Sequence, residues 1–208
     1  MKKISTDIVI VLSLLVFTFS QCNQNESKPD TMNRNDTAVV ATNSNGGFEN
    51  QVKWGEHLVT IGGCNDCHTP KKMTPMGPVD DSSLTLSGHP AHMPPPDVDR
   101  RAMESKGYAV TQTLTSWVGP WGISYAANLT SDSSGIGDWN EDRFIFCLRE
   151  GKWEGLAGSR SLLPPMPWAS IRLMTDDELK AIFAYLKSTK PIKNDVPVAA
   201  TPVSAPKM

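Results

Sequence analysis

Gly62-Gly63-Cys64-Asn65-Asp66-Cys67-His68 is the stretch on which the reading of this chain turns. Two cysteines with two residues between them, and a histidine directly after, form the pattern of covalent haem attachment. The spacing has a physical reason. Two thiols add across the two vinyl groups on one porphyrin edge, and the next residue is then placed beneath the iron as an axial ligand. Covalent linkage also retains the haem in a domain too small to enclose it. The competing reading is a structural zinc site, which needs four protein ligands. No second Cys-x-x-Cys occurs, and Cys147 lies far downstream. Cys64 and Cys67 are therefore the expected haem-binding residues and His68 the expected iron ligand. One haem c is the expected cofactor.

Iron held by one histidine needs a sixth ligand or an open site. Methionine sulfur is soft, favours ferrous iron and raises the potential. Met73, Met76, Met93, Met103, Met166 and Met174 lie downstream. Met166 is favoured, because Pro165 and Pro167 stiffen its loop; for any lone methionine the bland alternative is core packing. His57 reads as a surface residue, and His89 and His92 as exposed or hydrogen-bonded loop histidines. Cys147 reads as a buried thiol. Trp121, Trp139, Trp153 and Trp168 are expected to wall the haem, with indole N–H groups able to meet a propionate.

Three helices follow from local signals. The first covers about 49–61, with Val52, Leu58, Val59 and Ile61 as apolar positions, and Gly62-Gly63 stops it. The second opens at Asn140, an N-cap followed by Glu141 and Asp142, and ends at Gly151. Phe144, Cys147 and Leu148 make its apolar stripe. The third opens with the capping box Thr175-Asp176-Asp177-Glu178. Leu179, Ile182, Phe183 and Leu186 then fall at helical spacing, and Pro191 follows. The stretch between the first two helices is dense in Pro, Gly and Ser and shows no strand alternation. A loop of that length needs an organiser. An all-α fold is expected, with about three main helices and long loops around one haem.

The rest of the chain sets the organisation. Lys2, Lys3 and the apolar run from Ile8 to Phe19 read as a signal sequence over 1–21, too short to span a bilayer. Cys22 follows at once, as the lipidated cysteine of a bacterial lipoprotein would. Residues 22–47 then read as a polar, flexible linker. The folded domain is expected over 48–192, and a disordered Pro-rich tail over 193–208. Net charge is −2 and no basic run exceeds two residues, which argues against a nucleic-acid partner.

These segments together resemble the class I c-type cytochromes, and most of all exported monohaem cytochromes c and the cytochrome subunits of bacterial alcohol and aldehyde dehydrogenases. The resemblance spans about 50–190. It rests on Gly62 to Pro70, then Ala127-Asn128-Leu129-Thr130, then Gly135-Ile136-Gly137-Asp138-Trp139. Leu148-Arg149-Glu150-Gly151, Pro165-Met166-Pro167-Trp168 and Met174 to Leu179 follow in the same order. It implies His68 and Met166 as the axial pair and a crossing of the first and last helices. Gly55 would supply the gap at that crossing, with Tyr185 as its partner and Phe183 turned to the haem. The attachment motif occurs once, where dehydrogenase subunits often carry three, and the 71–126 insert is long.

The function expected is single-electron carriage between redox partner proteins, on the periplasmic side of a bacterial membrane and held there by the lipid on Cys22. The chain is not expected to be an enzyme in its own right, since no nucleophile–base pair or phosphate loop is evident. The alternatives are a cytochrome subunit of a membrane-associated dehydrogenase or oxidase complex, and a haem-based sensor.

Overall fold

The structure is a computed structural model and describes residues 45–203. The expected signal sequence, Cys22 and most of the linker lie outside the described residues, as do 204–208. The long helices begin where side chains can satisfy their first N–H groups. Helix α1 (Gln51–Ile61) starts after Asn50, whose side chain accepts from Lys53 N. Helix α2 (Cys64–His68) is a single turn entered through Gly63, which sits at φ 65°. A side chain there would be strained, and the turn is what sets the attachment motif against the end of α1.

Helix α4 (Glu141–Glu150) is capped by Asn140 and closed by Gly151. Helix α6 (Asp176–Ser188) carries the expected capping box: Thr175 Oγ1 accepts from Glu178 N, and Thr175 N donates back to the Glu178 carboxylate at 2.7 Å. Short helices α3 (Arg100–Lys106) and α5 (Trp168–Ile171) complete the set. No helix among the described residues is long and apolar enough to cross a membrane.

Helices α1 and α6 cross at Gly55. A Cβ on Gly55 would overlap the backbone carbonyl of Ala181 and come within 2.8 Å of Tyr185 Cβ. The crossing at Gly55 is thus as expected, but the first surface met is the α6 backbone, with Tyr185 beside it. Phe183 differs from expectation. Its ring packs on Phe144 with centroids 5.2 Å apart, in the core that Leu58, Val59 and Leu179 share. Ile182 and Leu186 face the cavity instead.

The all-α expectation needs correction. Strands β1 (Lys71–Thr74) and β2 (Gly77–Asp80) form a hairpin, with Lys71 opposite Asp80 and Thr74 opposite Gly77. Strands β3 (Val110–Thr111), β4 (Ser116–Gly119) and β5 (Gly122–Tyr125) form a second antiparallel sheet in that order. The strands are two to four residues long. All four residues of β4 are buried, so the alternation that marks a half-exposed strand never develops.

The disordered tail expected from 193 is also corrected, as far as 203. Asn194 N donates to Ser134 Oγ at 2.9 Å, and Ala200 and Ile123 exchange both backbone hydrogen bonds. This strap has few large apolar side chains, so composition reads it as a tail. It is held instead by hydrogen bonds, from its backbone and from the Asn194 side chain, to the 71–126 insert and the turns after Ala127.

Candidate haem site

His68 closes α2 and is 9% exposed. Its Nδ1–H donates to Ala127 O at 2.7 Å. A carbonyl can only accept, so Nδ1 carries the proton. Burial lowers the imidazole pKa; the bond to Ala127 opposes the shift and Lys71 adds to it. The ring is therefore neutral with its lone pair on Nε2, the state in which histidine binds a metal. The Lys71 ammonium donates to Asn65 O and Thr69 O and pairs with Asp80 at 2.7 Å. A cation at the last carbonyls of α2 is favourable, and it anchors the β1–β2 hairpin to the motif.

Cys64 and Cys67 share one helical turn and are not joined in a disulfide. Burial pushes the Cys64 pKa up to about 11, and it raises that of Cys67, with Asp66 adding to both. Both side chains and His68 line a cavity of about 740 Å³. Its other walls are mainly apolar, including Leu58, Phe144, Leu148, Ile182 and Leu186. Cofactor pockets typically measure about 300–1,000 Å³. Paired thiols on one turn, a neutral imidazole beside them and an apolar cavity of this size fit a haem. The zinc alternative lacks ligands: no group of three or more His, Cys, Asp or Glu side chains that could hold a metal occurs among the described residues.

Of the six candidate methionines, only Met166 and Met174 line the cavity. Met73 and Met76 are 74% and 95% exposed on the β1–β2 hairpin. The Met166 loop is tied down from the insert: Trp121 Nε1 donates to Ser124 Oγ, which donates to Pro164 O at 2.6 Å. Trp139 and Trp153 line the cavity as expected. Trp121 and Trp168 do not line it; Trp168 packs over Gly151. Trp117 on β4 does line it, and sequence reasoning missed it because no strand was legible there. Cys147 is buried and also lines the cavity.

The remaining histidines stand apart. His57 is exposed and stacks on Phe48, with ring centroids 4.8 Å apart. His92 is exposed. His89 is fully buried, its Nε2–H donating to Met93 O while Nδ1 accepts from Thr115 Oγ1, both at 2.9 Å. With both nitrogens engaged, His89 holds the insert together and has no lone pair left for a second iron.

No protein-family model matches the sequence. Curated relatives do. The chain is 28% identical over 148 residues to the cytochrome c subunit of a quinone alcohol dehydrogenase from Gluconacetobacter polyoxogenes, covering 70% of this chain and 26% of that one. It is 27% identical over 135 residues to the gluconate 2-dehydrogenase cytochrome c subunit of Pantoea cypripedii, covering 64% and 22%. A shorter match, 31% over 98 residues, is to the fructose dehydrogenase cytochrome subunit of Gluconobacter japonicus, covering 46% and 18%. The chain thus spans about a quarter or less of the length of these relatives. The chain is thus similar, at modest identity, to several cytochrome c subunits of dehydrogenases, and this similarity supports a cytochrome c family.

Proposed function

We propose that this protein is a class I electron-transfer cytochrome with a cytochrome c-like fold. It carries one haem, bound covalently through Cys64 and Cys67 and ligated by His68 and Met166. The observation that carries the reading is the meeting of both thiols, a neutral His68 and Met166 on one apolar cavity. Haem held there would supply one-electron chemistry through its ferric and ferrous states. The chain's residues do the rest. The thiols retain the group, and Ala127 O orients the imidazole and raises its basicity. Met166 offers a soft sulfur, and the apolar walls exclude water, which favours the less charged ferrous state.

The partners are redox proteins. Similarity to dehydrogenase cytochrome subunits makes a membrane-associated dehydrogenase complex the donor to test first. In the same reading the protein is exported and held at the periplasmic side of a membrane by lipid on Cys22.

The sulfur ligand is testable against its neighbour in the same cavity. The oxidised protein is expected to show the weak near-infrared band of sulfur-to-iron charge transfer and to titrate as a one-electron couple. Met166→Ala should abolish the band and lower the potential, while Met174→Ala keeps both. A band that survives in Met166→Ala and vanishes in Met174→Ala would transfer the role to Met174.

A further inference from the structure

We propose that Asn194, on the C-terminal strap, is a positioning residue for His68 and so helps set the reduction potential; this rests on the haem reading above. The chain of contacts is short. Asn194 Nδ2 donates to Ser87 O at 2.7 Å and to His89 O at 2.9 Å, while its Oδ1 accepts from Ala91 N at 3.0 Å. The strap backbone is fixed at the same residue, where Asn194 N donates to Ser134 Oγ at 2.9 Å. One side chain thus grips both sides of Gly88.

Gly88 is the residue that presses on the histidine's support. It sits at φ 79°, and a Cβ there would lie 2.6 Å from Ala126 O and from both atoms of the Ala127 carbonyl. That carbonyl is the acceptor of the His68 Nδ1–H. Gly88 N also donates to His68 O at 2.8 Å, and His89 N donates to Ala126 O at 2.9 Å. The Ser87–His89 turn therefore wedges between the backbone of His68 and the peptide that orients its ring. The turn is hydrogen-bonded to His68 O and to Ala126 O, on the peptide just before, and it packs against the Ala127 carbonyl itself. Asn194 is the clamp that holds this wedge from outside.

The consequence is electronic. A strong bond from Nδ1–H to a carbonyl makes the imidazole a better donor and favours ferric iron. Loosening the wedge weakens that bond and favours ferrous iron. The potential should rise without any change in haem attachment or methionine ligation.

The test uses the matured, haem-loaded protein as wild type, Asn194→Ala, Asn194→Asp and Arg100→Ala. Asn194→Asp keeps the acceptor for Ala91 N and removes both donors. Arg100→Ala removes a different strap contact, the bond from Arg100 Nη2 to Thr201 O. Potential is read by redox titration, and hydrogen exchange is read at the Gly88 and His89 amides. Both Asn194 variants should shift the ferric–ferrous equilibrium about tenfold toward ferrous, 59 mV for a one-electron couple. They should also speed exchange at both amides, while Arg100→Ala changes neither. If Asn194→Ala does not fold, Asn194→Asp carries the test. Unchanged exchange at Gly88 and His89 in the folded Asn194 variants overturns the clamp whatever the haem content. An equal shift in Arg100→Ala overturns it too, since general loosening of the strap would then be the cause. Wild type that carries no haem defeats the functional reading above, and the amide exchange still decides whether Asn194 holds the turn.

Discussion

Gly55→Leu is expected to lower the melting temperature by roughly 6–12 °C, taking a loss of about 3 kcal/mol at some 2–4 °C per kcal/mol for a chain of this length. At most exposed helix positions Gly→Ala stabilises, by up to about 1 kcal/mol. Here even Gly55→Ala should destabilise, because its Cβ would overlap the Ala181 carbonyl. Overlap with a far side chain could be relieved by a rotamer change, but overlap with a backbone carbonyl forces α1 and α6 apart. Leu58 on α1 and Ile182 and Leu186 on α6 all wall the cavity, so separation opens it. Melts followed at the Soret band should show Gly55→Ala below wild type and Gly55→Leu far below. Equal or higher melting in both variants would mean that the helices do not meet at Gly55.

The chain produced without haem maturation is expected to lose cooperative tertiary structure. Without haem, the mainly apolar walls of a cavity of about 740 Å³ would face water, at about 25 cal/mol per Å² of apolar surface. The whole stability of a domain is about 5–15 kcal/mol, so leaving those walls uncovered removes a large share of it. The unmatured chain should keep much of its far-ultraviolet circular dichroism, since α1, α4 and α6 are locally capped. It should lose its near-ultraviolet signal and expose apolar surface to dye. A sharp, cooperative melt equal to that of the matured protein would contradict the assignment of the cavity to haem.

What was legible in the sequence was what is encoded locally. Asn140, the Thr175–Glu178 capping box and Gly62-Gly63 each act within a turn of their own position, and each marks a helix end in the structure. The cysteine and histidine spacing and the prolines around Met166 are likewise local, and those residues do meet on one cavity. The clamp at Asn194 is different. Its partners Ser87 and His89 lie 107 and 105 residues away, and they are backbone carbonyls that any residue could present. Nothing in a Pro-rich stretch announces such a contact. The strands were hidden for a related reason: short, fully buried strands such as β4 leave no alternation. Phe183 shows the limit of periodicity, which places a side chain on the buried face without saying whether cavity or core lies beneath. It met Phe144, while Ile182 met the cavity.

Covalent haem is tested most directly by the mass of the denatured protein, matured in a haem-exporting host, read together with its alkaline pyridine spectrum. The expected result is a chain heavier by one haem that survives denaturation, with a c-type haemochrome and with the added mass on the peptide containing Cys64 and Cys67. Haem that leaves on denaturation, or a chain of unmodified mass with both thiols free, would contradict it.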